Sequence, residues 1–571
     1  MKFFIKTIYL TFILSLFLLN STKGFSRDAV NKHTKEEVSN YLSGVLSLSQ
    51  NNIERSLHYF NKTKSLKKVH LNYNVNFIKS LVLLGRFEEA FTFANSIWKE
   101  SEFFFEVDLL LGLEAYIKKD YKLAEKYFVR INQISFSNYL FEDFFGNILI
   151  SWIKASENKK DESFKFINKI PKRYKSLNLI NESFLNCYFK TEETKDFFTR
   201  VIGDKDLRSR YNFFLVNYLI SKNKINDAKI FMNKIANSYN STLLIRQTND
   251  FINKNQTKKV KNFFDCSKPT HSIAEIFYVL ANMYSTQNDY QTSNFYLNIS
   301  LFLNSKFEPN KILLAENFYL QKKFNQSREI YNSIKKIGPI YSWFASQSIS
   351  AIIEKTESKD KSILYLKKEF NSLKSLNFIN YYDLANHYKD NENYIESIKY
   401  YSLAIENINN ENDLMHKILY NRGISYERNQ QWEKAEKDFL ESLRLIPEQP
   451  YVLNYLAYSW VDKKMNIEKA LSMLEEAARL KENDGYIIDS LGWAHYRNKN
   501  YIDAEKFLQK AVQLLPLDPI INDHYADALW MLNRNIQARY FWKHAANLDD
   551  IEAEAKEKIK KKLIFGINNK S

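Results

Sequence analysis

Glycine and proline are scarce in this chain, at 11 and 8 of 571 residues. A strand-rich fold draws on both at its frequent turns, so the scarcity excludes a large β architecture and favours helices joined by short polar turns. Cysteine is nearly absent. Cys187 and Cys266 lie far apart in sequence and no C-x-x-C occurs, so neither a zinc site nor a redox pair is indicated. Two buried structural thiols are expected. A bridge between them needs export, and a closer approach than a helical array should give. Also missing are H-E-x-x-H, the phosphate-binding loop, G-x-S-x-G and any Gly-rich nucleotide turn. The expectation is a protein that is not an enzyme and holds no cofactor or metal.

What is present is apolar and aromatic. Hydrophobic residues make up 45% and aromatics 15%, which excludes a disordered chain. At 571 residues the chain exceeds what one core holds, so several domains or a repeat array is expected. The formal net charge is +16. Such a surface attracts polyanions in general. Lysine, however, recurs in nearly every polar turn rather than in an Arg-rich patch. No RNA-binding aromatic motif accompanies it, so nucleic acid is not an expected partner and the charge is ascribed to composition.

The opening "MKFFIKTIYLTFILSLFLLNSTKGFS" is a separate object. Lys2 and Lys6 precede an apolar run from Thr7 to Leu19, and small residues around Gly24 and Ser26 offer a cleavage point, the pattern of a secretory signal. The run is short for a spanning helix. The expected location is therefore periplasmic. The rival expectation is an uncleaved segment that associates with the inner membrane and leaves the rest facing the periplasm.

Beyond that segment the chain repeats. Ala435, Ala470, Ala504 and Ala538 are spaced 35, 34 and 34, and each is followed seven residues later by Ser442, Ala477, Ala511 or Ala545. Ser293, Ser327, Ser362 and Ser397 keep the phase at 34, 35 and 35, and Ser56, Ala90 and Ala124 are again 34 apart. Ser163 and Ala228 mark looser units, with a degenerate one expected near Asn186. Each unit reads as two amphipathic helices. Small residues at Gly492, Ala504 and Ala511 let the helices cross closely, where large side chains would overpack by roughly 1–3 kcal/mol each. Pro516 and Pro519 end the second helix.

Leu491-Gly492, Ala504, Leu508, Ala511 and Pro516, with Gly423, Tyr426, Ala435 and Pro447, resemble the tetratricopeptide repeat (TPR). His495 stands where the family has Tyr. The resemblance implies an all-α fold, a right-handed α-solenoid of about fourteen helix pairs. The expected organisation is a signal over 1–26, a divergent array over 27–255, a basic linker over 256–270, a tighter array over 271–550, and a basic capping helix and tail over 551–571.

In such an array the first helix of each pair lines a concave groove. The resemblance places Tyr420, Asn421, Asn454, Tyr455, Tyr458, Asp489, Trp493, Tyr496, Arg497, Asp523, His524, Asp527 and Trp530 there. Tyr, Trp and Arg are residues that anchor protein interfaces. Asp523, His524 and Asp527 share a helix face that would suit a cation, although a solvated or ligand-facing surface is the ordinary reading. The layout is similar to that of exported proteobacterial TPR proteins, which include outer-membrane adaptors of a C-terminal-processing protease, without their lipid-bearing Cys. The expected function is a non-catalytic periplasmic scaffold for other proteins, such as envelope proteases or cell-wall enzymes. The alternative is a structural component of an envelope export or polysaccharide-secretion machine.

Overall fold

The computed structural model describes residues 33–133, 143–203, 210–236, 241–408, 414–549 and 551–567. The signal segment expected over 1–26 lies outside them. The described residues form thirty-one α-helices and no strand, from α1 (Lys35–Ser49) to α31 (Ala553–Phe565). In chain order these are fifteen helix pairs, with α31 left over. The pair beyond the fourteen expected is the seventh in order, α13 (Leu243–Asn253) with α14 (Thr257–Phe263), hidden because α14 falls in the lysine-rich stretch expected as a linker. Val260 and Phe263 of α14 are buried, and Asn217 donates to the Val260 carbonyl. The degenerate unit is α9 (Lys175–Phe189) with α10 (Thr194–Ile202). Its small second-helix residue is the fully buried Thr194; Asn186 lies on the first helix, and its carbonyl accepts from the Thr194 hydroxyl.

Three local rules build the pairs. The first is a cap. Most first helices end in a left-handed residue, as at Asn51, Gly85, Lys119, Asn288, Lys322, Gln430, Lys464, Lys499 and Asn533. The next amide then bonds back five residues, as Asn500 N–H does to the His495 carbonyl and Arg534 N–H to that of Leu529. This closes the helix and turns the chain into its partner. The second rule is size exchange across the crossing, at a fixed offset of sixteen residues. A side chain at Gly44, Gly112, Gly423 or Gly492 would collide with Phe60, Phe128, Phe439 or Leu508 respectively. Where the first helix carries Ala, as at Ala526 against Trp542 and Ala385 against Tyr401, the partner is still bulky and the pair is fully buried.

The third rule explains the serines. At the crossing their hydroxyls are fully buried yet satisfied by first-helix carbonyls. Ser56 donates to Gly44 and Ser362 to Ser350, both at 2.8 Å and twelve residues apart. At the second small position Ser300 donates to Ala274 and Ser442 to His416, twenty-six apart. Serine therefore substitutes for alanine without leaving a polar atom unpaired.

The chain divides into two compact units, one of 1–201 with 262–317 and one of 202–261 with 318–571. In the first, α15 (Pro269–Thr286) and α16 (Tyr290–Leu303) pack back on the opening pairs. Phe302 stacks on Phe87 at 4.1 Å, Phe277 and Tyr296 meet Phe145, and Gln291 donates to the Leu48 carbonyl. This return corrects the expectation for the cysteines. Cys187 on α9 and Cys266, just before α15, form a disulfide with Cα atoms 5.7 Å apart, so neither is a free thiol. Distance along the array is not distance in space once a later hairpin folds back on earlier pairs. In the second unit α13 packs on α19 (Pro339–Thr356), and the Ile340 amide donates to Gln247. No helix among the described residues is long and apolar enough to cross a membrane.

Candidate protein-binding groove

The thirteen predicted groove residues lie on four successive first helices of the second unit: α23 (Met415–Arg428), α25 (Pro450–Asp462), α27 (Gly485–Arg497) and α29 (Pro519–Met531). Pro450 and Pro519 open α25 and α29, and Asp484 and Asp518 cap α27 and α29, each accepting two backbone amides. These starts fix the rotation of each helix, and hence which face is free.

The four helices line one cleft of about 340 Å³, to which Asn454, Tyr455, Tyr458, Asp489 and His524 contribute. Residues that the sequence reading missed complete it: Glu427 and Arg428 at the end of α23, Asp462 and Lys463 at the end of α25, and Tyr486 and Ile520 near the starts of α27 and α29. Their signal was present. Tyr451, Tyr486 and Ile520 recur at the second position of successive first helices, where the core pattern asks for nothing apolar.

Inside the cleft Tyr455 donates to Glu427 at 3.0 Å, and burial pushes the Tyr458 phenol up to about 12. The Asn454 side-chain oxygen is buried without a hydrogen-bond partner. His524 Nδ1 lies 3.0 Å from Asp489 Oδ2 and 3.1 Å from Oδ1. Burial opposes the imidazolium, but the carboxylates of Asp489 foremost, then Asp523 and Asp527, together outweigh it and raise His524 above its ordinary value. The His524 ring stacks on Trp493 at 4.0 Å, and Trp493 stacks on Tyr496 at 4.7 Å. Arg497 is half-buried at the end of the same helix, near enough to Tyr458 and Tyr496 to lower both phenols slightly against the larger effect of burial.

The remaining predicted residues are engaged within the fold. Tyr420 packs against Phe439 and Tyr455, and burial pushes its phenol up to about 12. Asn421 accepts from Lys389 and donates to Tyr382. Asp523, Asp527 and Trp530 lie beneath the capping helix α31. Its Lys562 ammonium reaches both carboxylates at 2.7–2.9 Å. Gly566, just beyond α31, packs so tightly on Trp530 that a side chain there would collide with the indole. A cation does occupy the Asp523–Asp527 pair, and it is the chain's own lysine. Asp527 also accepts from the Trp542 indole N–H at 3.0 Å. Its burial and the neighbouring Asp523 raise the Asp527 carboxyl above its usual range, against the pull of Lys562.

Comparison with known proteins bears on the repeats themselves. Residues 416–449 match the tetratricopeptide repeat model. The TPR repeat-containing protein PA4667 of Pseudomonas aeruginosa is 31% identical over 99 residues, which span 17% of each chain. Among solved structures, Cut9–Hcn1 of the APC/C hetero-tetramer is 13% identical, with 93% of this chain and 97% of that one covered and a TM-score of 0.37. A MamA structure from Desulfovibrio magneticus RS-1 is 19% identical over 30% of this chain and 97% of that one, with a TM-score of 0.27. Tetratricopeptide repeats generally serve as scaffolds that bind other proteins. The match over 416–449, the 34-residue phase and the exchange of glycine for bulk across an offset of sixteen residues identify tetratricopeptide repeats in this chain.

Proposed function

We propose that the protein is a non-catalytic scaffold of the cell envelope that holds a partner protein in the cleft between α23 and α29. The observation that carries this reading is the cleft lining. Tyr458 and the buried, unpaired oxygen of Asn454 are not consumed by the packing of the helix pairs, unlike Asn421 or Asp527 nearby. Aromatic faces with a few fixed polar groups are the composition of a recognition site. The Cys187–Cys266 disulfide supports a location outside the cytoplasm, since such bridges form and persist where the surroundings are oxidising.

The test is photo-crosslinking in cells. Benzoylphenylalanine placed at Tyr458 should trap a discrete protein adduct, and the same group at the exposed Lys510 of α28 (Tyr501–Leu514) should not. Equal trapping at both positions, or none at Tyr458, removes the assignment. Fractionation of the same cells tests the location: recovery in the cytoplasm with both cysteines reduced would contradict it.

A further inference from the structure

The cleft does not end at α29. Tyr486 and Ile520, which form its rim, also line a second depression of about 650 Å³ on the edge where repeat turns meet α31. Its walls are Leu514, Leu515, Pro516, Leu517 and Pro519. Leu517 is 71% exposed, Tyr486 60% and Ile520 44%. Large apolar side chains scattered singly on a surface are ordinary, but a contiguous concave set of this kind marks a contact site. Nothing in the repeat pattern requires Leu517, which sits in a turn between Pro516 and Pro519 and supports no crossing.

Charge decides what the groove takes. The lining carries two carboxylates, Asp518 and Glu552, and no Lys or Arg. This holds in a chain with 82 basic residues against 66 acidic ones. The phenol of Tyr486 feels the Asp518 carboxylate, which raises it above its ordinary value. We infer that this edge groove is a second subsite, contiguous with the cleft, for an apolar segment of a partner protein that carries lysine or arginine beside its apolar side chains. The inference rests on the reading that the last repeats present a protein-binding surface.

Two fluorescein-labelled twelve-residue peptides test it on the full chain, one alternating Leu and Lys, the other alternating Leu and Glu. Net charge alone favours the acidic peptide. The subsite favours the basic one, by at least tenfold in Kd. The preference should fall at least fivefold in Leu517→Gln, whose exposed side chain lies outside the cleft lining and supports no crossing. It should also fall in Asp518→Asn with Glu552→Gln, because Asn still caps α29. Equal or tighter binding of the acidic peptide, or a basic peptide indifferent to Leu517→Gln, overturns the subsite. Neither result touches the cleft assignment, which stands or falls on crosslinking at Tyr458.

Discussion

Removing the Cys187–Cys266 bridge should loosen the first unit selectively, and the size of the effect reports how the two units unfold. The bridge spans a sequence separation of 79. If both units unfold together, closing a loop of that length removes about 15 cal/mol/K of denatured-chain entropy, or about 4.5 kcal/mol at 25 °C. Residues 202–261, however, lie within that loop and belong to the second unit. If the second unit stays folded while the first opens, the free chain inside the loop is only 188–201 and 262–265, and the figure drops to about 3 kcal/mol. The assay is native-state hydrogen exchange, resolved by peptide, on Cys187→Ser/Cys266→Ser against the oxidised parent. The most protected amides of α9 and α15 should exchange about 10²-fold faster for independent units, and about 10³-fold faster for coupled ones. Protection in α25 to α29 should stay unchanged in the first case and fall in the second. Unaltered protection in α9 and α15 refutes the reasoning, as does maleimide labelling of both cysteines in the native, unreduced protein.

Three other outcomes follow from the geometry. Lys562→Met leaves Asp523 and Asp527 facing each other beneath α31 and should cost about 3 kcal/mol, at the low end for a broken buried pair because Lys562 keeps a quarter of its side chain exposed; acidification toward pH 5 should restore part of the loss in a urea melt, since protonating Asp527 relieves the repulsion. His524 has its folded value raised by Asp489, so its contribution is complete below the unfolded value near pH 6.5 and is lost as pH rises through the higher folded value. Stability of α27 and α29 should therefore decline on the alkaline side, with a matching change in the emission of the stacked Trp493, and both trends should vanish in His524→Gln. Lys499 sits at a φ of 63° in a left-handed cap; Lys499→Gly should stabilise the fold by about 0.5–1 kcal/mol, measured as a shift in the urea midpoint, and a loss of stability would contradict the cap assignment.

The crossing rules were legible because they are local. Gly492 against Leu508 and Ser362 against Ser350 depend on a fixed offset within one pair, and one period of sequence contains both partners. The same locality blinded the reading to α14, where lysines masked a seven-residue helix held by Val260 and Phe263. It failed at the disulfide for the opposite reason, since Cys187 and Cys266 meet only because α15 and α16 return to the opening pairs. At the groove the repeat offered thirteen equivalent positions, and tertiary context made them unequal. Asn421 is consumed by Lys389 and Tyr382, while Asp523, Asp527 and Trp530 are covered by α31, which obeys no repeat. Tyr486 and Ile520 fall outside that set because the resemblance places the groove further along each first helix, and an exposed apolar residue at the second position leaves the repeat pattern unbroken.

That inequality sharpens what the cleft can select. Its lining sets the acids Glu427, Asp462 and Asp489 against the bases Arg428 and Lys463, with His524 held toward its charged form. The balance is close to neutral although the chain as a whole is at +16. The excess lysines sit elsewhere, several of them at the left-handed caps Lys119, Lys322, Lys464 and Lys499, where a long solvated side chain is tolerated and none reaches the groove. On the proposed reading, net charge governs solubility and encounter, and discrimination between partners falls to aromatic faces and a few fixed polar groups on four helices. Four first helices offer room for a short segment, and the end beyond His524 is closed by Lys562 and Gly566. On the proposed reading, a segment that extends past the cleft over Tyr486 and Ile520 toward Leu517 meets the carboxylates of Asp518 and Glu552 and no Lys or Arg in that lining.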